Sequence, residues 1–143
     1  MAIDKNTLTT DIWDTIYTYI QTTNAISTNN IFSAFNSTLI SSKGYPLVIL
    51  FPPSVSFNKL NLTGVAIESS VVLNIEIYNT SSQTVKSIKD EVVAKLLAGR
   101  KTFAGDGLKN MQIDGGSSDS WTEGKKKIHR ITFSVNFRYI EMI

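Results

Sequence analysis

The sequence predicts an α+β domain of two layers, a mostly antiparallel sheet of about four strands with helices packed on one face. Three observations carry this. Apolar residues recur every three or four positions in three separate stretches. They alternate with polar ones in two others. The resulting order of helices and strands does not form a regular βαβ series. At 143 residues, 42% hydrophobic and 18% charged, the chain reads as a single domain over 1–143 with a real core.

In LTTDIWDTIYTYIQTTN, Leu8, Ile12, Ile16 and Ile20 fall on one helical stripe with Trp13 and Tyr17 beside it. The spacing predicts an N-terminal helix over 7–23. Thr7 or Thr9 can cap it, and Asp11 suits the positive end of its dipole. So many β-branched residues make it dependent on tertiary packing. IFSAFNSTLI repeats the pattern with Ile31, Phe35 and Leu39, predicting a short second helix that ends before Gly44.

The period then becomes that of strands. YPLVILFPP is an apolar run closed by Pro52 and Pro53, which donate nothing to a ladder. VSFNKLNL follows as strand or arm, and the whole 52–64 segment is a candidate arm. In SSVVLNIEIYN, Val71, Leu73, Ile75 and Ile77 share a face, with Asn74, Glu76 and Tyr78 on the other. SSQTVKSIKDEVVAKLLAGR places Val85, Ile88, Val92 and Leu96 on one stripe, with Ser81 or Ser82 as cap and Gly99 as stop. This is the main helix, 82–99. LKNMQID reads as a strand and DGGSSDSWTEG as a long loop over 114–124. The closing KKKIHRITFSVNFRYIEMI reads as a strand with Ile131, Phe133, Val135, Phe137 and Tyr139 inward. Its reverse carries Thr132, Ser134, Asn136 and Arg138 beside Asn74, Glu76 and Tyr78, a polar sheet face that meets either solvent or another subunit.

No catalytic, cofactor or metal site is expected. There is no cysteine, and the single histidine, His129, has no partner set for metal or for base chemistry. GxSxG is missing. AGDG at 104–107 and DGGSS at 114–118 lack the strand, glycine loop and helix of a phosphate fingerprint and read as flexible connections. The longest apolar run, Leu47 to Phe51, is too short to span a bilayer, and no signal-like stretch opens the chain, so a soluble cytoplasmic protein with no membrane partner is expected.

Charge is uneven. From Lys86 onward lie 11 of the 14 Lys/Arg and 7 of the 12 Asp/Glu, net +4, whereas residues 1–85 carry −2. Lys125, Lys126, Lys127 and Arg130 cluster at the entry to the last strand, and Arg100, Lys101 and Lys109 are expected near them across the sheet end. Attraction to phosphate is one reading of such a cluster, and a solvated or protected strand entrance is the other.

The second half, from about Val71 to Tyr139, resembles the tail terminator and tail completion proteins of long-tailed bacteriophages, also grouped as head-tail joining or neck proteins. The resemblance lies in VVLNIEIYN, TVKSIKDEVVAKLLAGR, LKNMQID, DGGSSDSWTEGKKK and HRITFSVNFRYIE, and the helix LTTDIWDTIYTYI is similar to the family's opening. IFSAFNSTLI and the Pro52-Pro53 region run longer than the barest version of that pattern. It implies a virion protein assembled in host cytoplasm, a homo-oligomer in a hexameric ring around a lumen that DNA crosses without sequence recognition. It also implies contacts to a tail tube protein on one side and head connector or neck proteins on the other, and no catalytic residues. Loops 52–64 and 114–124 would be arms to partners, and the basic residues would face lumen or an acidic partner. A neck adaptor or stopper, a tail-tube or baseplate subunit, and a small nucleic-acid-binding protein using Lys125–Arg130 are the alternatives.

Overall fold

In a computed structural model, residues 8–21, 30–33, 45–60 and 66–142 are described. The elements are α1 (Leu8–Ile20), β1 (Ile31–Phe32), β2 (Leu47–Leu50), β3 (Ser54–Leu60), β4 (Ala66–Asn79), α2 (Ser82–Ala98), α3 (Arg100–Gly105), β5 (Leu108–Glu123) and β6 (Lys126–Met142). The fold is α+β. Among the described residues its sheet has six strands rather than about four, in the order β1-β2-β4-β6-β5, with β3 paired to β4 beyond the end of β2. Among the described residues only β1 and β2 run parallel; the other pairs are antiparallel.

The extra strands come from two short segments. Ile31 and Phe32, expected to open a helix, instead pair with Val48 and Ile49. The expected helix lies, from Ala34 on, outside the described residues. Ser54–Leu60 is a strand along β4, so the strand reading of that segment holds, and 61–64 are outside the described residues. β4 and β6 form the centre, in register from Ala66 opposite Met142 to Asn79 opposite His129.

The helices cover one face. Ile12, Ile16 and Ile20 of α1, Val85, Ile88, Val92 and Leu96 of α2, and Phe103 of α3 pack on Val71, Leu73, Ile75 and Ile77 of β4 and on Ile131, Phe133, Val135, Phe137 and Tyr139 of β6. Two of the three stripes and both alternations read from sequence therefore meet in one core. Trp13 ties α1 to β2 by donating from Nε1 to the Leu50 carbonyl at 2.6 Å. Ser81 caps α2, its Oγ accepting from the Thr84 N–H at 3.3 Å. Gly99 ends α2 as expected, but at φ −82° and ψ −5°. The chain therefore enters α3 without a left-handed cap, and glycine serves there by leaving room for Phe103 and Tyr19.

The largest departure is the segment 114–124. The glycines and serines that predict a loop lie within β5, which pairs with β6 as far as Glu123 opposite Lys126. The connection shrinks to Gly124 and Lys125, with Gly124 at φ +61° as two-residue hairpins favour. Two register shifts, at Lys109/Gln112 and Asp114/Ser117, absorb the irregular residues. AGDG is likewise no free connection at its start, since Ala104 and Gly105 complete α3.

Candidate assembly surface

The sheet face away from the helices gathers the polar residues of β4 and β6. Strand pairing sets Ser70 against Arg138, Val72 against Asn136, Asn74 against Ser134, and Glu76 against Thr132, so the polar residues expected to share a face do so. Asn74 and Arg138 are exposed, and Thr132, Ser134 and Asn136 are half-buried. Tyr78 differs from expectation. It is 2% exposed, in a second apolar cluster with Leu47, Ile49 and Ile128, flanked by Phe32, Tyr45, Phe51 and Trp121. One end of the face is therefore a small core, and the open polar surface occupies the other.

Beside that cluster, Arg130 is bound from several sides. Nε donates to Asp119 Oδ1 at 2.9 Å and Nη2 to Oδ2 at 2.6 Å. Glu76 Oε2 lies 3.6 Å from Nη1. The guanidinium sits 5.3 Å from the Trp121 ring centre and 5.9 Å from that of Tyr78. Hydrogen bonding to Asp119 raises the Arg130 pKa further above its ordinary value. The Tyr78 hydroxyl donates to Glu76 Oε1 at 2.7 Å. Burial first, and that hydrogen bond second, push its pKa up to about 12. Arg130 is thus a structural cation on the sheet face rather than a free member of the lysine cluster.

The expected convergence of basic residues does not occur. Lys125, Lys126 and Lys127 are exposed at the β5–β6 turn. Lys109 pairs with Arg138, twelve residues along β6 from Lys126. At about 3.3 Å per residue, that is roughly 40 Å. Arg100 and Lys101 open α3, which leads to the Lys109 end of the hairpin, and both are exposed. Two small basic patches replace one. The reason is the length of β5: a loop over 114–124 would have let the chain fold back, and a strand does not.

At the Lys109 end, Ser70, Val72, Asn110, Gln112, Asn136 and Arg138 line an open groove of about 640 Å³ across β4, β6 and β5. Arg138 pairs there with Glu68. The Asn136 Oδ1 is buried with no hydrogen-bond partner among the described residues. Asn110, at φ +56°, forms part of the first register shift that opens the groove. Sequence periodicity gave no sign of that groove, because the shift is visible only in the pairing.

Among the described residues, no three His, Asp or Glu side chains gather as a metal site. His129 lines a small hollow with Ser82, Lys86, Ser118, Ser120 and Ile131. No described helix is long and apolar enough to cross a membrane.

No family model matches the chain, and no curated protein does. Among solved structures, a chain from the virion of a native gene transfer agent particle is similar to it, with a TM-score of 0.55 at 12% identity. The alignment covers 89% of this chain and 94% of that one. At that identity the likeness is one of fold, and it extends over nearly the whole of both chains.

Proposed function

We propose that the protein is a structural component of a phage-type virion that forms a ring at the head-tail interface, terminating the tail tube and joining it to the neck. The observation that carries this reading is the near full-length fold likeness to a chain of a gene transfer agent virion. The order of elements from Val71 to Tyr139, which resembles tail terminator and completion proteins, supports the same reading independently of any single residue. No reaction is assigned to the chain.

In this proposal, neighbouring copies meet on the open sheet face, where Asn74 and Arg138 are exposed beside the groove lined by Ser70, Gln112 and Asn136. The hairpin tip at Lys125–Lys127 and the strand β3 are the candidate arms. The tip faces the lumen or an acidic partner, and DNA passes without base recognition.

Native mass spectrometry and negative-stain imaging of the purified protein, alone and mixed with tail tubes, test the proposal. Six-fold rings that sit on tube ends are expected. A protein that stays monomeric and never binds tubes would overturn it, and long tubes formed by the protein alone would reassign it as a tube subunit.

A further inference from the structure

A second surface lies on the helix side of β5, away from the proposed subunit contact. Among the described residues β5 has one strand neighbour, β6, so its outer edge is open. Side chains from Asp114 to Ser120 are exposed, as are Thr122 and Glu123. Natural edges are usually blunted by bulges, lysines or prolines. Both register shifts of β5 lie before Ser117, and from Ser117 to Glu123 pairing is unbroken with neither lysine nor proline. This stretch is a regular template of seven residues, whose two charged side chains, Asp119 and Glu123, share the strand face opposite to that of Ser118 and Ser120.

Beside it runs a trench floored by Ile131. One part, about 200 Å³, is lined by Ser82, Lys86, Ser118, Ser120 and His129. The other, about 320 Å³, is lined by Lys86, Lys89, Asp90 and Gly115–Ser118. Lys86 and Lys89 stand one helical turn apart on α2 and overlook it. Lys86 makes no ion pair among the described residues, whereas Lys89 donates to the Gly115 carbonyl at 2.8 Å and fixes the bulge beside the template. Asp119, the acid nearest the middle of the template, is already bound to Arg130, and both residues also border the smaller part of the trench.

We infer that the edge Ser117–Glu123 together with this trench takes an extended acidic segment of a partner protein by strand addition. Backbone hydrogen bonds to β5 hold the segment, and its alternate side chains enter the trench, where carboxylates meet Lys86 and Lys89. An open peptide edge favours a protein segment over nucleic acid, which has no matching row of donors and acceptors.

The test uses the full chain and a fluorescein-labelled peptide alternating threonine and glutamate over seven residues. Fluorescence anisotropy is expected to show saturable binding. Affinity should fall at least tenfold for Lys86→Glu, for a peptide with lysine in place of glutamate, and for one N-methylated at alternate residues. Amide exchange within Ser117–Glu123 should slow on binding. No binding at millimolar peptide, indifference to N-methylation, or slowed exchange elsewhere in the sheet would overturn the inference. So would a short DNA duplex that displaces the peptide with higher affinity at the same salt. Ring formation by Lys86→Glu is scored separately, since the proposed subunit contact lies on the other face.

Discussion

Arg130 and Asp119 lie opposite each other on β6 and β5 and form a two-pronged pair, Nε to Oδ1 at 2.9 Å and Nη2 to Oδ2 at 2.6 Å. The pair clamps the hairpin at the level where Trp121 leans edge-on against Tyr78, with ring centres 6.1 Å apart. Its side chains are 33% and 50% exposed, so solvent screens the attraction. A double-mutant cycle of Arg130→Met and Asp119→Asn in urea should give a coupling of about 0.5–1 kcal/mol. A coupling indistinguishable from zero would mean that the aromatic neighbours, not the carboxylate, hold the guanidinium.

Gly116 makes a sharper prediction. It has φ +67°, and a Cβ there would lie 1.7 Å from the Thr132 carbonyl oxygen and 2.7 Å from the Phe133 Cα. Both are backbone atoms of the central strand β6 and have no rotamer to escape into. Gly116→Ala should cost about 3 kcal/mol or more, through left-handed strain and displacement of β6 together. Gly115→Ala, with nothing within 4 Å of its Cβ, should fall within about 0.5 kcal/mol of the parent. Gly124→Ala, strained in φ but open in space, should lie between, near 1–2 kcal/mol. Chemical denaturation of the three variants checks the order.

Tyr78 predicts the alkaline limit of stability. Its ordinary pKa of 10.0 rises to about 12 in the fold, through burial and then the hydrogen bond to Glu76. A raised folded value means the native state holds the proton more tightly than the unfolded chain. The contribution is therefore complete below about pH 10 and is lost as pH climbs through about 12. Absorbance titration should show one tyrosine ionising last, and Tyr78→Phe should remove that step. If the late step persists in the variant, another tyrosine owns it.

What the sequence could reveal followed the range of the interaction involved. The stripe from Val85 to Leu96 and the alternation from Ile131 to Tyr139 are local, and both elements and their buried faces were legible. Parity alone also placed Asn74, Glu76, Thr132, Ser134, Asn136 and Arg138 on one face. Parity does not report what lies over a face, so Tyr78 read as polar surface although Leu47, Ile49 and Ile128 bury it. The segment 114–124 failed for the opposite reason. Its Gly-Gly and serines favour turns, but β6 supplies a long partner strand, and strand preference is set more by neighbours than by composition. With that strand unseen, Arg130 read as one more cation beside three lysines, since Asp119 reaches it only through the hairpin register.

Trp13 links the N-terminal helix to the sheet through a single donor. Its Nε1 reaches the Leu50 carbonyl at 2.6 Å while the ring stacks on Tyr17 with centres 5.0 Å apart. Trp13→Phe keeps an aromatic ring and removes the donor, leaving that carbonyl short of a partner. A loss of about 1–2 kcal/mol is expected in thermal or urea unfolding. A neutral result would show that α1 is held by apolar packing and not by this donor.

Gly99 sets two principles against each other, and magnitude decides between them. Its φ of −82° and ψ of −5° are open to any residue, so helix preference alone predicts that Gly99→Ala gains about 1 kcal/mol. The added Cβ, however, would lie 2.7 Å from Phe103 Cζ and 2.9 Å from Tyr19 Cε1. Phe103 is fully buried and sits edge-on to both Tyr19 and Phe137, at 4.9 Å and 5.7 Å between centres, so it can retreat only by disturbing both. Overpacking of this kind costs about 1–3 kcal/mol, which exceeds the propensity gain. Gly99→Ala should therefore be destabilising. Adding Phe103→Leu, itself costly for the contacts it loses, should cost less in the Gly99→Ala background than in the parent, a non-additivity that urea unfolding of the four proteins would measure. A stabilised single variant would mean that α3 slides freely along the sheet.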